Sequence, residues 1–186
     1  MGFHTFDVER ADRLERPGVR YRWVSAEEVI GGLAPAGDDA VADLGSGTGF
    51  YTDDVAPHVG TVYGIDVQAE MHDLYREKGV PENVELIASD VGDLPFDDDD
   101  LDGAFSTMTF HEFATPASID ELVRVLRPDA RLAIFDWTAD GDGDDGPPVD
   151  ERYAASDAVE MLEAGGFAVE SASTRTETFA VVARAP

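Results

Sequence analysis

The chain has 186 residues, enough for one α/β domain with a substantial core, and its 43% hydrophobic content predicts a globular fold rather than disorder. Its 40 acidic residues face only 13 basic ones, for a net charge of −27, and Lys78 is the single lysine. Acid spread in this way suits a halophile, whose salt screens self-repulsion, and makes nucleic acid and anionic membrane poor partners.

Cysteine is absent, which removes disulfides, thiolate metal sites and a cysteine nucleophile. No apolar run has the length of a membrane span, and residues 1–14 lack a signal peptide's apolar centre, so a cytoplasmic location is expected. Residues 1–186 read as one domain, with an N-terminal flap and helix over 1–38 and the core over 39–186.

Residues 1–24 hold Arg10, Arg13, Arg16, Arg20 and Arg22. These are either surface arginines pairing with an acidic domain, the preferred reading, or part of a flap that brings Tyr21 or an arginine to a bound carboxylate. Ser25-Ala26-Glu27-Glu28 is a capping box and predicts a helix to about Leu33, stopped by Pro35 and Gly37.

Residues 39–44 form the first expected strand, which runs into Asp43-Leu44-Gly45-Ser46-Gly47-Thr48-Gly49. Glycines permit a positive φ and close approach of a ligand to the backbone. The spacing is G-x-G-x-G, with Phe50 where a dinucleotide fingerprint has its third glycine. Asp43, two residues before Gly45, would repel a pyrophosphate. Both departures favour a nucleoside ligand without phosphates.

A helix is expected over 50–58 and a strand over 60–65. Asp66 follows that strand, 21 positions after Gly45. A carboxylate there is either a helix cap or the acceptor of two ribose hydroxyls, and the spacing favours the ribose. Helix 69–78 ends at Gly79 and Pro81. Strand 83–88 leads to Ser89-Asp90, and a turn with four consecutive aspartates covers 94–100. Strand 101–108 leads to Thr109-Phe110-His111-Glu112-Phe113. His111 titrates near neutrality, so either it or Glu112 is a candidate proton acceptor, although neighbours on an extended segment diverge.

Ser118-Ile119-Asp120-Glu121 reads as a second capping box, opening a helix to 126, and a strand is expected over 131–137. In the loop 138–148, Asp140, Asp142 and Asp144, with Glu151 beyond it, imitate a calcium loop. Asp145 stands where the turn glycine belongs, so no metal is expected. Ser156 is a candidate cap for a helix to 164, ended by Gly165-Gly166, and two strands close the chain over 167–173 and 178–184. Five strand–helix alternations followed by a hairpin predict a mostly parallel, Rossmann-like sheet with helices on both faces.

The motifs Asp43-Leu44-Gly45-Ser46-Gly47-Thr48-Gly49, Gly64-Ile65-Asp66, Ser89-Asp90-Val91 and Leu126-Arg127-Pro128 fall in an order that resembles the class I S-adenosylmethionine-dependent methyltransferases. The chain is most similar to the small, type 11 enzymes like those of ubiquinone and menaquinone biosynthesis. The resemblance implies seven strands in the order 3-2-1-4-5-7-6, with the last antiparallel. It implies S-adenosylmethionine as cofactor, S-adenosylhomocysteine as product and a small-molecule methyl acceptor, in a monomer or homodimer.

It also implies residue roles. Gly45, Gly47 and Gly49 would touch the methionine part of the cofactor, and Asp43 would orient water or the ammonium. The Thr107 carbonyl would face the same ammonium. Val67 and Met71 would pack on adenine or simply belong to the core. Asp90 would accept the adenine amine, with the Val91 amide facing a ring nitrogen. His111 and Glu112 would serve catalysis. Phe110 would line the acceptor site, and Arg152, aimed by Gly146-Pro147-Pro148, would reach the cleft unless it is a surface ion pair. Two other functions share these features: a regulatory nucleoside-binding domain without catalysis and, opposed by the glycine pattern, an NAD-dependent oxidoreductase.

Overall fold

The computed structural model of the chain describes residues 8–186. Seven strands form one sheet: β1 (Ala40–Leu44), β2 (Thr61–Asp66), β3 (Val84–Ala88), β4 (Leu101–Thr107), β5 (Leu126–Trp137), β6 (Ala168–Thr174) and β7 (Thr178–Arg184). Their order is β3-β2-β1-β4-β5-β7-β6, as the resemblance implied. The strands from β3 to β5 in that order pair in parallel, and β7 is antiparallel to both β5 and β6. The strand order reverses between β1 and β4. The crevice outside the carboxyl ends at such a reversal is the usual ligand position in sheets of this kind.

Helices cover both faces: α1 (Pro17–Arg20), α2 (Ala26–Leu33), α3 (Phe50–Val55), α4 (Ala69–Lys78), α5 (Phe110–Phe113), α6 (Pro116–Val125) and α7 (Ala155–Ala164). Successive strand residues serve opposite faces, as the two-residue period of a strand requires. Val41, Phe105, Ala133 and Phe135 pack with Val29 and Leu33 of α2 and Tyr51 and Val55 of α3. Ala42, Ala104, Leu132 and Ile134 pack with Ile119 and Leu122 of α6 and Ala158 and Leu162 of α7.

The Ser25 capping box forms: Glu28 N donates to Ser25 Oγ at 3.3 Å, and Ser25 N donates to Glu28 Oε2 at 2.8 Å. The expected box at Ser118 does not. Thr115 caps α6, Pro116 takes the first helical position, and Ser118 N donates back to Thr115 Oγ1 at 3.2 Å. Proline's fixed φ suits that first position, so the helix starts earlier. Glu121 is thereby freed to accept from Leu94 N at 2.8 Å.

Ser156 likewise lies inside α7. Its start is secured by Asp157, which accepts from Ala154 N at 2.8 Å. β5 begins at Leu126 rather than at residue 131, because Leu126 still pairs with Leu101 across a register shift. An irregularity of this kind admits Pro128 into a strand.

Candidate active site

The glycine turn joins β1 to α3. Gly45 and Gly49 both have φ of 81°, and a Cβ would fall 2.3 Å from Thr109 on the first and 2.0 Å from the Tyr75 ring on the second. Neither position admits a side chain. Gly45 N and Ser46 N donate to Ile65 O at 2.9 and 2.8 Å, tying the turn to the end of β2. Asp66 completes the tie: Oδ2 accepts Gly47 N and Oδ1 accepts Gln68 N, each at 2.8 Å. Each carboxylate oxygen retains acceptor capacity for a ligand. The cap and ligand roles expected of Asp66 are therefore compatible.

A cavity of about 850 Å³ opens beside this turn. Gly45, Gly47, Asp66, Val67, Met71, Asp90, Val91 and Thr107 all line it, on the carboxyl ends of β1, β2, β3 and β4. Val67 sits at the rim, 52% exposed, and Met71 lies deep. Asp90 fixes its own turn, with Oδ1 accepting from Gly92 N at 2.7 Å.

Asp43 and Gly49 lie outside the lining. Asp43 is buried beneath the turn, where it accepts from Thr52 Oγ1 at 2.6 Å, and its Oδ1 has no partner. Burial lifts its carboxyl to about 7, opposed by the Thr52 hydrogen bond and aided by Asp66. Gly49 is the N-cap of α3. Both residues build the turn from behind, and the direct contact expected of them is corrected to a supporting position.

After β4 the backbone turns through Met108, with φ of 63°, into the short helix α5. Helical geometry sets His111 and Glu112 on the same cavity wall, contrary to the divergence expected of an extended segment. His111 Nε2 lies 3.9 Å from Glu112 Oε1. Behind the imidazole is Asp136 of β5, which is fully buried. Its Oδ2 accepts the His111 backbone N at 2.7 Å and lies 3.0 Å from Nδ1. Burial opposes a charged imidazole, but the charge and hydrogen bond of Asp136, with Glu112 and Glu151, outweigh it, and the His111 pKa is raised. Burial lifts Glu112 to about 7 despite the opposing charge of His111.

Two expected acceptor-side residues point elsewhere. Phe110 packs in the core against Phe113 and Phe179. Arg152 pairs with Glu177 at 3.0 Å, and both side chains are buried. The interior of the protein claims both, so neither the acceptor-side role of Phe110 nor the cleft or surface position of Arg152 is what the fold gives them. Trp23, Met108, Phe113 and Trp137 supply large apolar side chains to the cavity lining instead. Trp23 and Trp137 meet edge to face at 5.5 Å. Of the amino-terminal segment, residues 1–7 lie outside the described residues. Its described part does form one side of the cavity, through Arg10, Arg13, Leu14, Val19, Arg20 and Trp23. Arg13 and Arg16 also pair with Asp145 and Asp12, as surface arginines on an acidic domain would, and the Tyr21 hydroxyl turns to Asp54 at 2.8 Å.

The profile of the family described as "Methyltransferase domain" matches residues 42–134. The chain belongs to this family. The crystal structure of an S-adenosylmethionine-dependent methyltransferase from Aquifex aeolicus is 33% identical and superimposes with a TM-score of 0.88, covering 98% of this chain and 100% of that one. A methyltransferase-like protein of Schizosaccharomyces pombe is 31% identical over 141 residues, 73% of this chain and 52% of its own length. Demethylmenaquinone methyltransferase of Clavibacter sepedonicus is 31% identical over 108 residues, 57% of this chain and 44% of its own. The chain spans about half the length of the curated relatives it matches.

Family membership makes S-adenosylmethionine the cofactor of this methyltransferase domain. The residues fit it. Gly45 and Gly47 bring backbone to the cavity wall, two carboxylates stand at neighbouring strand ends, and Met71 and Val91 supply apolar surface close by. The volume lies within the usual range for small-molecule sites. Sequence reasoning missed Asp136, whose signal was a lone acid in the otherwise apolar run 132–137, since an unpaired buried acid is rare. No described helix is long and apolar enough to cross a membrane.

Proposed function

We propose that this domain transfers the methyl group of S-adenosylmethionine to a small, flat or apolar acceptor that gives up a proton to His111. Asp66 accepts the ribose hydroxyls, Asp90 accepts the adenine amine, and the Val91 amide faces a ring nitrogen. Val67 and Met71 flank the base. Gly45 and Gly47 let the amino-acid part lie on the backbone, and the Thr107 carbonyl keeps a lone pair for its ammonium. The cofactor, when bound, supplies a methyl group already activated by a sulfonium, so the protein's task is alignment and exclusion of water.

On the acceptor side, Asp136 binds Nδ1–H and leaves Nε2 as the free nitrogen that takes the proton. Glu112, beside it, supplies a second carboxyl that titrates near neutrality. Trp23, Trp137 and Phe113 offer faces and edges to a flat acceptor. The net charge of −27 with one lysine supports work in concentrated salt and a halophilic source, and disfavours nucleic-acid and anionic-membrane partners; the domain acts in the cytoplasm as a monomer or homodimer.

The observation that carries this reading is convergence. The glycine turn, Asp66, Asp90 and the His111–Glu112 pair come from four different strand ends and share one cavity. Calorimetry tests the cofactor half. S-adenosylhomocysteine should bind and NAD should not, and Asp66→Ala should weaken binding by about 1.5–3 kcal/mol, the range for hydrogen bonds to a charged group. NAD binding, or an unaffected variant with intact circular dichroism, would overturn it. Labelled cofactor incubated with an extract of the source cells tests the transfer half, and an extract that yields no labelled product would reduce the domain to a binder.

A further inference from the structure

Acids outnumber bases 40 to 13 in this chain, so an arginine ordinarily finds a carboxylate. Arg13, Arg16, Arg76 and every arginine from Arg124 onward lie within 4.0 Å of one. Among the described residues, Arg10, Arg20 and Arg22 form no such pair. Arg22 stacks on Trp23 at 4.4 Å. Arg10 and Arg20 both line the cavity.

Arg20 is the more constrained of the two. It ends α1, and its guanidinium carbon lies 4.9 Å from the centre of the Tyr51 ring and 5.9 Å from that of Phe50. The Tyr51 hydroxyl donates to the carbonyls of Arg20 and Val24 at 3.1 and 2.8 Å, which fixes the segment against α3. Arg20 Nε is buried without a hydrogen-bond partner. Burial without a paired carboxylate holds the Arg20 pKa below its ordinary value, although Tyr51, Asp43 and Glu15 partly offset this. A buried charge normally comes with its counter-ion, because desolvating it alone is costly. Among the described residues, none lies within ion-pair distance to provide one.

We propose that Arg20 is the anion-holding group of this cavity and that it seats a carboxylate of the bound ligand at the end formed by Gly47, Thr48 and Phe50. The guanidinium's planar fork suits a carboxylate, and its packing against the Tyr51 and Phe50 rings restricts its orientation. A local cation also answers the long-range repulsion that a chain of this charge exerts on any anionic ligand. The proposal rests on the nucleoside-cofactor reading of the same cavity. Two ligands carry the chemistry: the amino-acid tail of the cofactor and an acidic acceptor.

Calorimetry on the full chain separates them. S-adenosylhomocysteine carries the carboxylate, 5′-methylthioadenosine lacks it, and benzoate added to protein saturated with S-adenosylhomocysteine stands in for an aromatic acid acceptor. If the cofactor is the source, Arg20→Met should weaken S-adenosylhomocysteine by about 10- to 100-fold, leave methylthioadenosine unchanged, and be partly rescued in Arg20→Lys. If the acceptor is the source, benzoate binding alone is lost. Equal losses for both nucleosides, in Arg20→Met and in Arg20→Gln, would reduce Arg20 to a structural role and overturn the proposal, as would no loss for any ligand. A wild-type protein that binds neither nucleoside would remove the cofactor reading and the proposal together. Wild type that binds both nucleosides equally, and no benzoate, would remove the proposal alone.

Discussion

Asp136 grips His111 twice, through the backbone amide at 2.7 Å and through the imidazole Nδ1 at 3.0 Å. One buried carboxylate therefore sets the start of α5, the ring's orientation and its tautomer. The raised His111 pKa gives the pair a pH signature. A histidine that gains a partner on folding contributes stability that is complete below about 6.5, its usual pKa, and that is lost as pH rises through the raised native value. The stability gap between wild type and Asp136→Asn, measured by urea denaturation, should be widest in mild acid and should narrow toward alkaline pH. A gap that stays constant from mild acid to mild alkali would show that the pair is uncoupled from His111 titration. With the acceptor in hand, His111→Ala should lower methyl transfer by about 10²–10⁴-fold with little change in S-adenosylhomocysteine affinity.

The Arg152–Glu177 pair makes a second prediction. Arg152 Nε donates to Pro147 O at 2.9 Å, and its fork also reaches the carbonyl of Asp145. Glu177 accepts from Asp142 N at 2.9 Å and Gly143 N at 3.2 Å. The pair is thus the internal frame of the loop that brings Gly146, Pro147 and Pro148 to the cavity. Removing one partner strands the other charge in the interior. Arg152→Met should lower the urea midpoint far more than loss of the surface pair Arg16–Asp12, and adding Glu177→Leu should recover part of the loss. Equal effects of the buried and surface substitutions would contradict this account of the loop.

Charge makes a third. At a net −27, carboxylates across the surface repel one another in dilute buffer, where the Debye length is about 30 Å at 0.01 M, and barely at all at 1 M, where it is about 3 Å. The melting temperature should climb steeply from dilute buffer into molar potassium chloride. A flat profile would count against adaptation to salt.

Much of the frame was readable because local rules and the tertiary structure agree. Gly45 must be glycine, since a Cβ would strike Thr109, and Asp66 ends a strand whose alternation is visible in the residues themselves. What escaped depends on partners distant in sequence. Arg152 reads as a surface or cleft arginine until Glu177, 25 residues on, meets it inside the protein. Phe110 reads as a ligand-facing ring until α5 forms and turns it onto Phe179. Ser118 looks like a cap because its capping-box spacing is sound, but Thr115-Pro116 offers a better start three residues earlier.

The cavity has two halves of different origin. Turns at the ends of β1, β2 and β3 build one half, and the segment before α2 and the loop after β5 wall the other. Apart from Trp137 at the end of β5, the second half carries no strand residue. It is attached to the rest by Glu15 to Lys78, Tyr21 to Asp54 and the carbonyl of Trp23 to Arg175. Such a wall can exchange residues without disturbing sheet register or either core layer. On the proposed function, acceptor preference is therefore set by the half that substitution can reach without disturbing the sheet, while the nucleoside side stays under the constraint of the glycine turn.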